Sequence, residues 1–449
     1  MLFRSLRDVW LLSAGYADRD YIVYQDERWT YADAHRQVEA VAAWLRANGV
    51  GRGDRVAIAM RNYPEWILAY WATVSMGAVV VGMNAWWVTD EMAYGLKDAA
   101  PRVLIADRER LERVAPIRGD FPELRVVGVR LDGPVPDVTP WAEVVATPGA
   151  LPEATIHPDE DACIFYTSGT TGRPKGAQLT HRGCVNNIMN LMFAATATGQ
   201  ALARAAGEPP PKPEDAPVGS ALLTTPLFHV TANNCGLHPQ TLMGGKLTLM
   251  YKWDPVEALT LIEREGVTAM SGVPTTAREL ITHPDFGRYD TSTLLSLGGG
   301  GAQLQPDLVG KIDKAVATAR PGTGYGMTET CGIITSISAD FFLDRPESCG
   351  RAMPNFEVKC VDAEGNALPA GEVGELWVRG APVIAGYLNR PEATAETITD
   401  GWLHTGDVAR MDDDGFLYIV DRLKDMVLRG GENVYCAEVE SALFEHEAV

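Results

Sequence analysis

The run Tyr166-Thr167-Ser168-Gly169-Thr170-Thr171-Gly172-Arg173-Pro174-Lys175-Gly176 gathers the parts of a phosphate site in one short stretch. Its glycines let backbone N–H groups turn toward an anion, the serine and threonines add hydroxyl donors, and Lys175 adds a charge. It is not a Walker A loop, because Pro174 stands where that pattern requires its second glycine. An ordinary Gly/Ser/Thr surface loop has no reason to place Pro-Lys-Gly just after two glycines and four hydroxyls. A second run, Gly322-Thr323-Gly324-Tyr325-Gly326-Met327-Thr328-Glu329-Thr330, sets an aromatic ring between glycines, where a flat base could stack. The hydroxyl and carboxylate that follow suit Mg²⁺ held against phosphate oxygens. Taken alone, this second run fits equally a tight strand-to-helix turn with a solvated glutamate. Taken alone, His229 in Pro226-Leu227-Phe228-His229 reads as a satisfied core histidine, and Asp407 as an exposed loop aspartate.

The first run needs a strand to launch it, and the pattern supplies one at 162–167. Upstream, Thr30 can cap a helix in which Val38, Val41, Ala42 and Leu45 share one face, closed by Gly49. A buried strand over 55–60, a helix over 65–76 and a strand over 78–83 follow, with further strands at 102–106, 221–225, 246–251 and 268–271. Asp254-Pro255 opens another helix, which Gly266 ends. This alternation predicts an α/β chain of βαβ units with mainly parallel sheets. From Phe356 the texture changes to short antiparallel strands at 356–361, 375–378 and 416–420, separated by turns at 364–366 and 412–415. The proline-rich 209–213 is a surface loop.

The 449 residues suffice for about three compact units, or one large unit and a smaller piece. With 46% hydrophobic and 22% charged residues, the composition is that of a globular protein with a sizeable core. A net charge of −20 argues against a nucleic-acid binder and a polybasic membrane patch. The seven cysteines, scattered from Cys163 to Cys436 without C-x-x-C spacing, predict a reduced, cytoplasmic protein without disulfides or zinc. The uncharged 67–88 is long enough to imitate a membrane span. Gly77 and Gly82-Met83-Asn84 break it and its middle is β-branched, so a buried helix, a turn and a buried strand are expected, and no transmembrane segment. At the N-terminus, Val9-Trp10-Leu11-Leu12 is too short an apolar run for a signal peptide, and Asp8 interrupts it.

Together with Gly401-Trp402-Leu403-His404-Thr405-Gly406-Asp407 and Asp421-Arg422-Leu423-Lys424-Asp425, the two runs resemble the core motifs of the adenylate-forming (AMP-binding) superfamily. The likeness extends in order and spacing from about Thr30 to the last residue, and is closest to acyl-CoA synthetases and fatty-acid–CoA ligases. It implies a large domain over 1–423 made of two doubly wound, mostly parallel sheets. A small β-barrel-like part would occupy 350–423, with a hinge and only the start of a small α+β domain over 424–449. It further implies that Thr167, Ser168, Gly169, Thr170, Thr171, Gly172 and Lys175 hold the β- and γ-phosphates of ATP, with Thr167 near the metal. Tyr325, set in Gly324-Tyr325-Gly326-Met327, would stack on adenine, with Gly300, Gly301 and Ala302 as the other wall. Thr328 would touch the α-phosphate and Glu329 would ligate Mg²⁺. Asp407 would accept the ribose hydroxyls, Arg422 would sit beside them, and Lys424 would be the hinge. His229 would border the acyl carboxylate, in a pocket lined by Val230, Asn233, Gly299 and Gly300. The implied reaction joins a small-molecule carboxylic acid to ATP, releases pyrophosphate, and passes the acyl group to coenzyme A as co-substrate.

Amino-acid-activating members carry an Asp near the position of His229; Phe228-His229-Val230 has none, so an amino-acid substrate is not expected. The small residues of Leu297-Gly298-Gly299-Gly300-Gly301-Ala302 predict room for a long or bulky acyl group. The position of a pocket-closing Trp in some long-chain enzymes falls at Asn233, which keeps aryl and alicyclic acids open. Beyond Lys424 such enzymes continue for about a hundred residues. Here 425–449 remain, so most of the small domain and its bridging lysine are expected to be missing. Transfer to a carrier protein instead of coenzyme A, a non-catalytic adenylate-binding module, and a homodimer all stay open; Glu329 and Lys175 favour an enzyme.

Overall fold

The computed structural model describes residues 3–167, 173–212, 218–425, 427–429 and 432–434, together with Val439 and Leu443. The chain divides into two compact units, each woven from separate segments: Met1–Met189, Pro217–Asp254 and Ile384–Pro391 form the first, and Asn190–Ala216, Pro255–Val383 and Glu392–Val449 the second.

The first unit contains the hairpin β1 (Asp20–Tyr24) and β2 (Glu27–Thr30), then β3 (Arg55–Ala59), β4 (Val79–Gly82), β5 (Val103–Asp107), β6 (Arg125–Val129) and β7 (Thr139–Pro140). β8 (Asp161–Thr167), β9 (Lys175–Thr180), β10 (Ser220–Leu223) and β11 (Lys246–Leu249) complete it. Seven of these form a sheet in the order β7-β6-β5-β3-β4-β8-β9, parallel throughout except for the antiparallel β8–β9 edge. The chain runs outward from β3 in both directions, a doubly wound arrangement. A second group pairs as β2-β1-β11-β10, with β1, β11 and β10 parallel.

Local signals account for much of this. Thr30 and Asp33 form a reciprocal capping box at the head of the helix Tyr31–Ala47. The apolar stretch that imitates a membrane span is the wholly buried helix Pro64–Ser75, a turn at Gly77 with φ +79°, and the buried β4. Among the described residues no helix is long and apolar enough to cross a membrane. The N-terminal imitation of a signal peptide is the helix Leu6–Ser13, whose Trp10 stacks on Trp71 with ring centroids 5.3 Å apart.

The second unit opens with β12 (Ala269–Gly272), β13 (Ser296–Gly299) and β14 (Arg320–Met327), parallel neighbours separated by the helices Pro274–Thr282 and Pro306–Ala315. Both helices start on Pro, whose fixed φ suits a first turn. The unit continues with β15 (Gly332–Ser338), β16 (Gly350–Ala352), β17 (Phe356–Val361), β18 (Val373–Gly380), β19 (Ile398–Thr399), β20 (Trp402–Met411) and β21 (Phe416–Arg422). From β14 onward all pairings are antiparallel, in the order β14-β15-β16-β21-β20-β18-β17. The β-barrel-like part expected over 350–423 is therefore corrected to an open sheet: the path is linear, and β17 ends it without pairing back to β14. The sheet nevertheless curls. β14 and β20 are four strand steps apart, about 19 Å if flat, yet Tyr325 and Asp407 touch across that interval. The concave side holds Ile334, Phe356, Leu376, Leu403 and Leu417, with Tyr325 and Met327 packed against them.

Beyond β21, Leu423, Lys424 and Asp425 form a turn, and Val427–Arg429 pairs with Glu432–Val434. The remainder of the expected 424–449 segment lies outside the described residues, apart from Val439 and Leu443.

Candidate active site

In the first unit, β8 delivers Thr167 and β9 begins at Lys175, directly opposite it in register. The phosphate run thus joins two antiparallel strands and does not lead from a strand into a helix. The Thr167 Oγ1 hydroxyl donates to the Lys175 carbonyl at 3.4 Å. Lys175 Nζ lies 4.3 Å from the centroid of the buried Tyr387 ring, a cation–π contact that holds the ammonium at the mouth of the hairpin. The intervening Ser168, Gly169, Thr170, Thr171 and Gly172 lie outside the described residues.

His229 sits at the N-cap of the short helix Val230–Ala232, its ring 4.7 Å from that of the buried Phe228. Burial lowers its pKa, which favours the neutral imidazole. Val230 is buried beside it. The Asn233 N–H donates to the His229 carbonyl at 3.0 Å, but its side chain turns into a buried polar cluster. Asn233 Nδ2 donates to Asn234 Oδ1 at 2.8 Å and lies 3.3 Å from His238 Nε2, which also meets the Tyr70 hydroxyl at 2.7 Å.

In the second unit, the run from Gly322 to Met327 is itself strand, the end of β14. A Cβ at Gly326 would run into the Gly332 carbonyl of β15, and one at Gly298 into the Gly322 carbonyl. Gly298 therefore serves close strand packing. Gly299 is buried at the end of β13, and a Cβ there would lie 3.0 Å from Leu304 Cδ1. Gly300 is half-buried, whereas Gly301, at φ +78° with open space around its Cα, and Ala302 are exposed.

A register shift between Tyr325 and Gly326 interrupts the β14–β15 ladder. The Tyr325 hydroxyl donates to Asp407 Oδ2 at 2.5 Å. Asp407 is buried and stands opposite Arg422 in register, with Arg422 Nε 3.6 Å from its other carboxylate oxygen. Burial raises the Asp407 pKa, opposed by the Tyr325 hydrogen bond and the Arg422 charge, and reinforced by Glu375 and Asp425. Burial, then the Asp407 charge, pushes the Tyr325 hydroxyl well above its ordinary value, so it stays a donor. Thr328 and the buried Glu329 follow β14 in a single 3₁₀ turn, Thr328–Thr330, whose Thr330 hydroxyl accepts from the Met327 N–H at 3.1 Å. Arg422 and Lys424 are exposed.

Two partners of this site carry no sequence signal of their own. Glu375 accepts from the Gly406 N–H at 3.1 Å and from the Trp377 indole at 2.8 Å, and so fixes the irregular stretch of β20 that presents Asp407. Thr405 Oγ1 accepts from the Asp407 N–H at 3.1 Å. A carboxylate two residues before a strand Trp would have flagged Glu375 only if the curl of the sheet were known in advance.

A phenol beside a buried carboxylate, at the end of a glycine-rich strand, can cover a flat base and accept from a diol. The family described as AMP-binding enzyme matches residues 12–388, and the chain belongs to that family. Among curated proteins it is 36% identical over 423 residues to a feruloyl-CoA synthase of Amycolatopsis sp, covering 94% of this chain and 79% of the relative. It is 31% identical over 470 residues to a long-chain-fatty-acid–CoA ligase of Bacillus subtilis (strain 168), covering 97% and 80%. Among solved structures, an anthranilate CoA ligase in complex with anthranoyl-AMP superposes with a TM-score of 0.88 at 26% identity, covering 100% of this chain and 84% of that one.

Proposed function

We propose that this chain is an ATP-dependent acid–thiol ligase that activates a fatty or other bulky carboxylic acid and transfers it to coenzyme A. The observation that carries the reading is the Tyr325–Asp407 pair, a ring joined at 2.5 Å to a buried carboxylate. In this reading the ring stacks on adenine and Asp407, flanked by Arg422, accepts the ribose hydroxyls. Lys175 and the Thr167 hydroxyl serve the β- and γ-phosphates, and Thr328 the α-phosphate. The half-buried neutral His229 borders the acyl carboxylate without adding a charge.

A carboxylate oxygen of the acid bonds to the α-phosphorus, and the bond to the β-bridging oxygen breaks, so pyrophosphate leaves with the electron pair. The sulfur of coenzyme A then attacks the acyl carbon, the carbon–oxygen bond to AMP breaks, and the thiol proton passes to solvent. Both reactants of the first step are anionic, so its barrier is dominated by charge repulsion, which fixed donors and Lys175 relieve. Mg²⁺ would be held by Glu329, and would neutralise phosphate charge. A single buried carboxylate fits that ion, which takes one or two carboxylates and completes its shell with water and substrate phosphates. Among the described residues no cluster of three or more His, Cys, Asp or Glu offers an all-protein cage.

The acyl preference rests on Phe228-His229-Val230, which offers no acid for a substrate ammonium, and on the open space at Gly301. The six free cysteines among the described residues support a reducing, cytoplasmic setting. The test is pyrophosphate release screened over fatty, aryl and alicyclic acids, with and without coenzyme A. Release that requires an acid, and thioester that appears only with coenzyme A, is expected. ATP turnover indifferent to every acid would overturn the reading.

A further inference from the structure

We propose that Asn62 is a positioning residue for His229: its carboxamide pins the segment that leads from β10 to that histidine, and so sets where the carboxylate of the acid lies. The inference rests on reading His229 as the border of the acyl carboxylate.

Topology dictates the place. In the order β7-β6-β5-β3-β4-β8-β9 the chain steps from β3 to its neighbour β4, then crosses to β5 on the other side of β3. Right-handed crossovers put the two connecting helices, Pro64–Ser75 and Thr89–Ala99, on opposite faces of the sheet. A crevice therefore opens between the carboxyl ends of β3 and β4, where sheets of this kind take ligands. The segment from β10 to His229 comes down on that crevice. Gly82 ends β4, and a Cβ there would lie 3.5 Å from the Phe228 Cα. Beyond β4, the Trp86 ring meets the Phe228 ring edge-on with centroids 5.2 Å apart.

Asn62 ties the same segment to the end of β3. Its Nδ2 donates to the Thr225 carbonyl at 2.9 Å, and its Oδ1 accepts from the Leu227 N–H at 2.9 Å. A carboxamide carries one donor group and one acceptor in a plane, so it meets the two backbone groups as a neighbouring strand would. The β10–β11 ladder ends at Leu223, two residues short of Thr225, and does not supply these bonds. Asn62 and Leu227 are both buried, so a lost bond leaves a backbone group unpaired away from water. Asn62 is itself held firmly through its neighbour. The Arg61 N–H donates to Asp107 Oδ2 at the end of β5 at 3.2 Å, and the Arg61 guanidinium donates to the Tyr251 carbonyl at 3.2 and 2.8 Å. Within the segment, the His229 N–H donates to the Pro226 carbonyl at 3.0 Å, so a displacement of 225–227 reaches His229.

Asn62→Leu removes both bonds at similar volume, Asn62→Asp removes the donor alone, and His229→Ala removes the histidine. Pyrophosphate release is measured with octanoate or cinnamate, whichever the native protein turns over faster. Rates are referred to the AMP-binding sites counted by calorimetry, so that unfolded molecules do not enter. Each Asn62 variant is expected to lower kcat/KM for the acid by about 10- to 100-fold, the loss that a misplaced reacting group produces. The KM of ATP and the AMP affinity should stay native. Backbone hydrogen exchange should quicken over 224–229 and stay native over β3 and β4. If His229→Ala impairs use of the acid and neither Asn62 variant does, the positioning role is overturned. If the loss disappears once rates are referred to AMP sites, or exchange quickens across the whole unit, Asn62 only stabilises the fold and the role is overturned as well. If His229→Ala leaves the kinetics of the acid native, the reading of His229 falls and the role of Asn62 falls with it.

Discussion

Tyr325→Phe removes a single oxygen and keeps the ring that the nucleotide reading needs. That oxygen donates at 2.5 Å to the carboxylate of Asp407, whose side chain is 11% exposed. A hydrogen bond to a charged group contributes about 1.5–3 kcal/mol, roughly 10- to 150-fold. Asp407 keeps Arg422 at 3.6 Å and its own backbone tie to Thr405, so the lower end applies: about tenfold weaker AMP binding. The specificity should shift as well. A carboxylate free to leave its rotamer discriminates less between AMP and 3′-deoxy-AMP, so the ratio of their affinities should fall toward one. The pH dependence carries the third sign. Burial raises the Asp407 pKa and the Tyr325 hydroxyl lowers it, so the variant's pKa must stand higher still. Accepting from ribose needs the ionised form, which is present above the folded-state pKa and lost below it. The acid limb of AMP affinity therefore begins at higher pH in Tyr325→Phe than in the native protein. Calorimetric titration with both nucleotides across the acidic range reads all three effects. An equal loss for the two nucleotides, with an unmoved acid limb, would refute the coupling of ring and carboxylate.

Other changes test separate parts of the molecule. Glu329→Gln should lower Mg²⁺-dependent pyrophosphate release by on the order of 100- to 1,000-fold while circular dichroism stays native; near-normal turnover would remove its metal role. Gly326→Ala pushes a Cβ against the Gly332 carbonyl, backbone that cannot swing aside. It should lose about 1–3 kcal/mol of stability together with AMP binding, and a native melting curve would contradict the packing argument. Burial holds both His181 and His238 down to about 4 from 6.5, so their contribution is complete above the unfolded-state value and is lost as pH falls from about 6.5 toward about 4. Two protons taken up on unfolding give a slope of about 3 kcal/mol per pH unit in that window; urea midpoints that stay flat there would show that these histidines are not kept neutral by the fold.

What was legible in the sequence shares a physical cause. The Thr30 cap, the Gly77 turn and the strand Phe356–Val361 depend on neighbours in the chain, and the structure places them where the pattern predicts. The return of β9 beside β8 was not legible, because the long Gly/Ser/Thr run between them carries no tight-turn signature. Nor was the strand character of the run from Gly322 to Met327, where glycines that suggest a turn instead allow β14 to approach β13 and β15. A residue proposed to meet a ligand is constrained in type by that ligand: a phosphate calls for donors, so Lys175 stands out in a bare sequence, whereas Asp407 reads alone as a loop aspartate and is singled out only by the resemblance of its motif. Residues that only tie neighbouring elements together are constrained by place. Tyr94 and Arg390 are 296 positions apart, and nothing in their types marks them as partners. Only the doubly wound sheet, which carries the helix Thr89–Ala99 past the foot of β8, and the backbone stitching of 385–388 onto β9 bring them together. A motif search therefore recovers residue types and misses the contacts that hold the neighbouring strands in place.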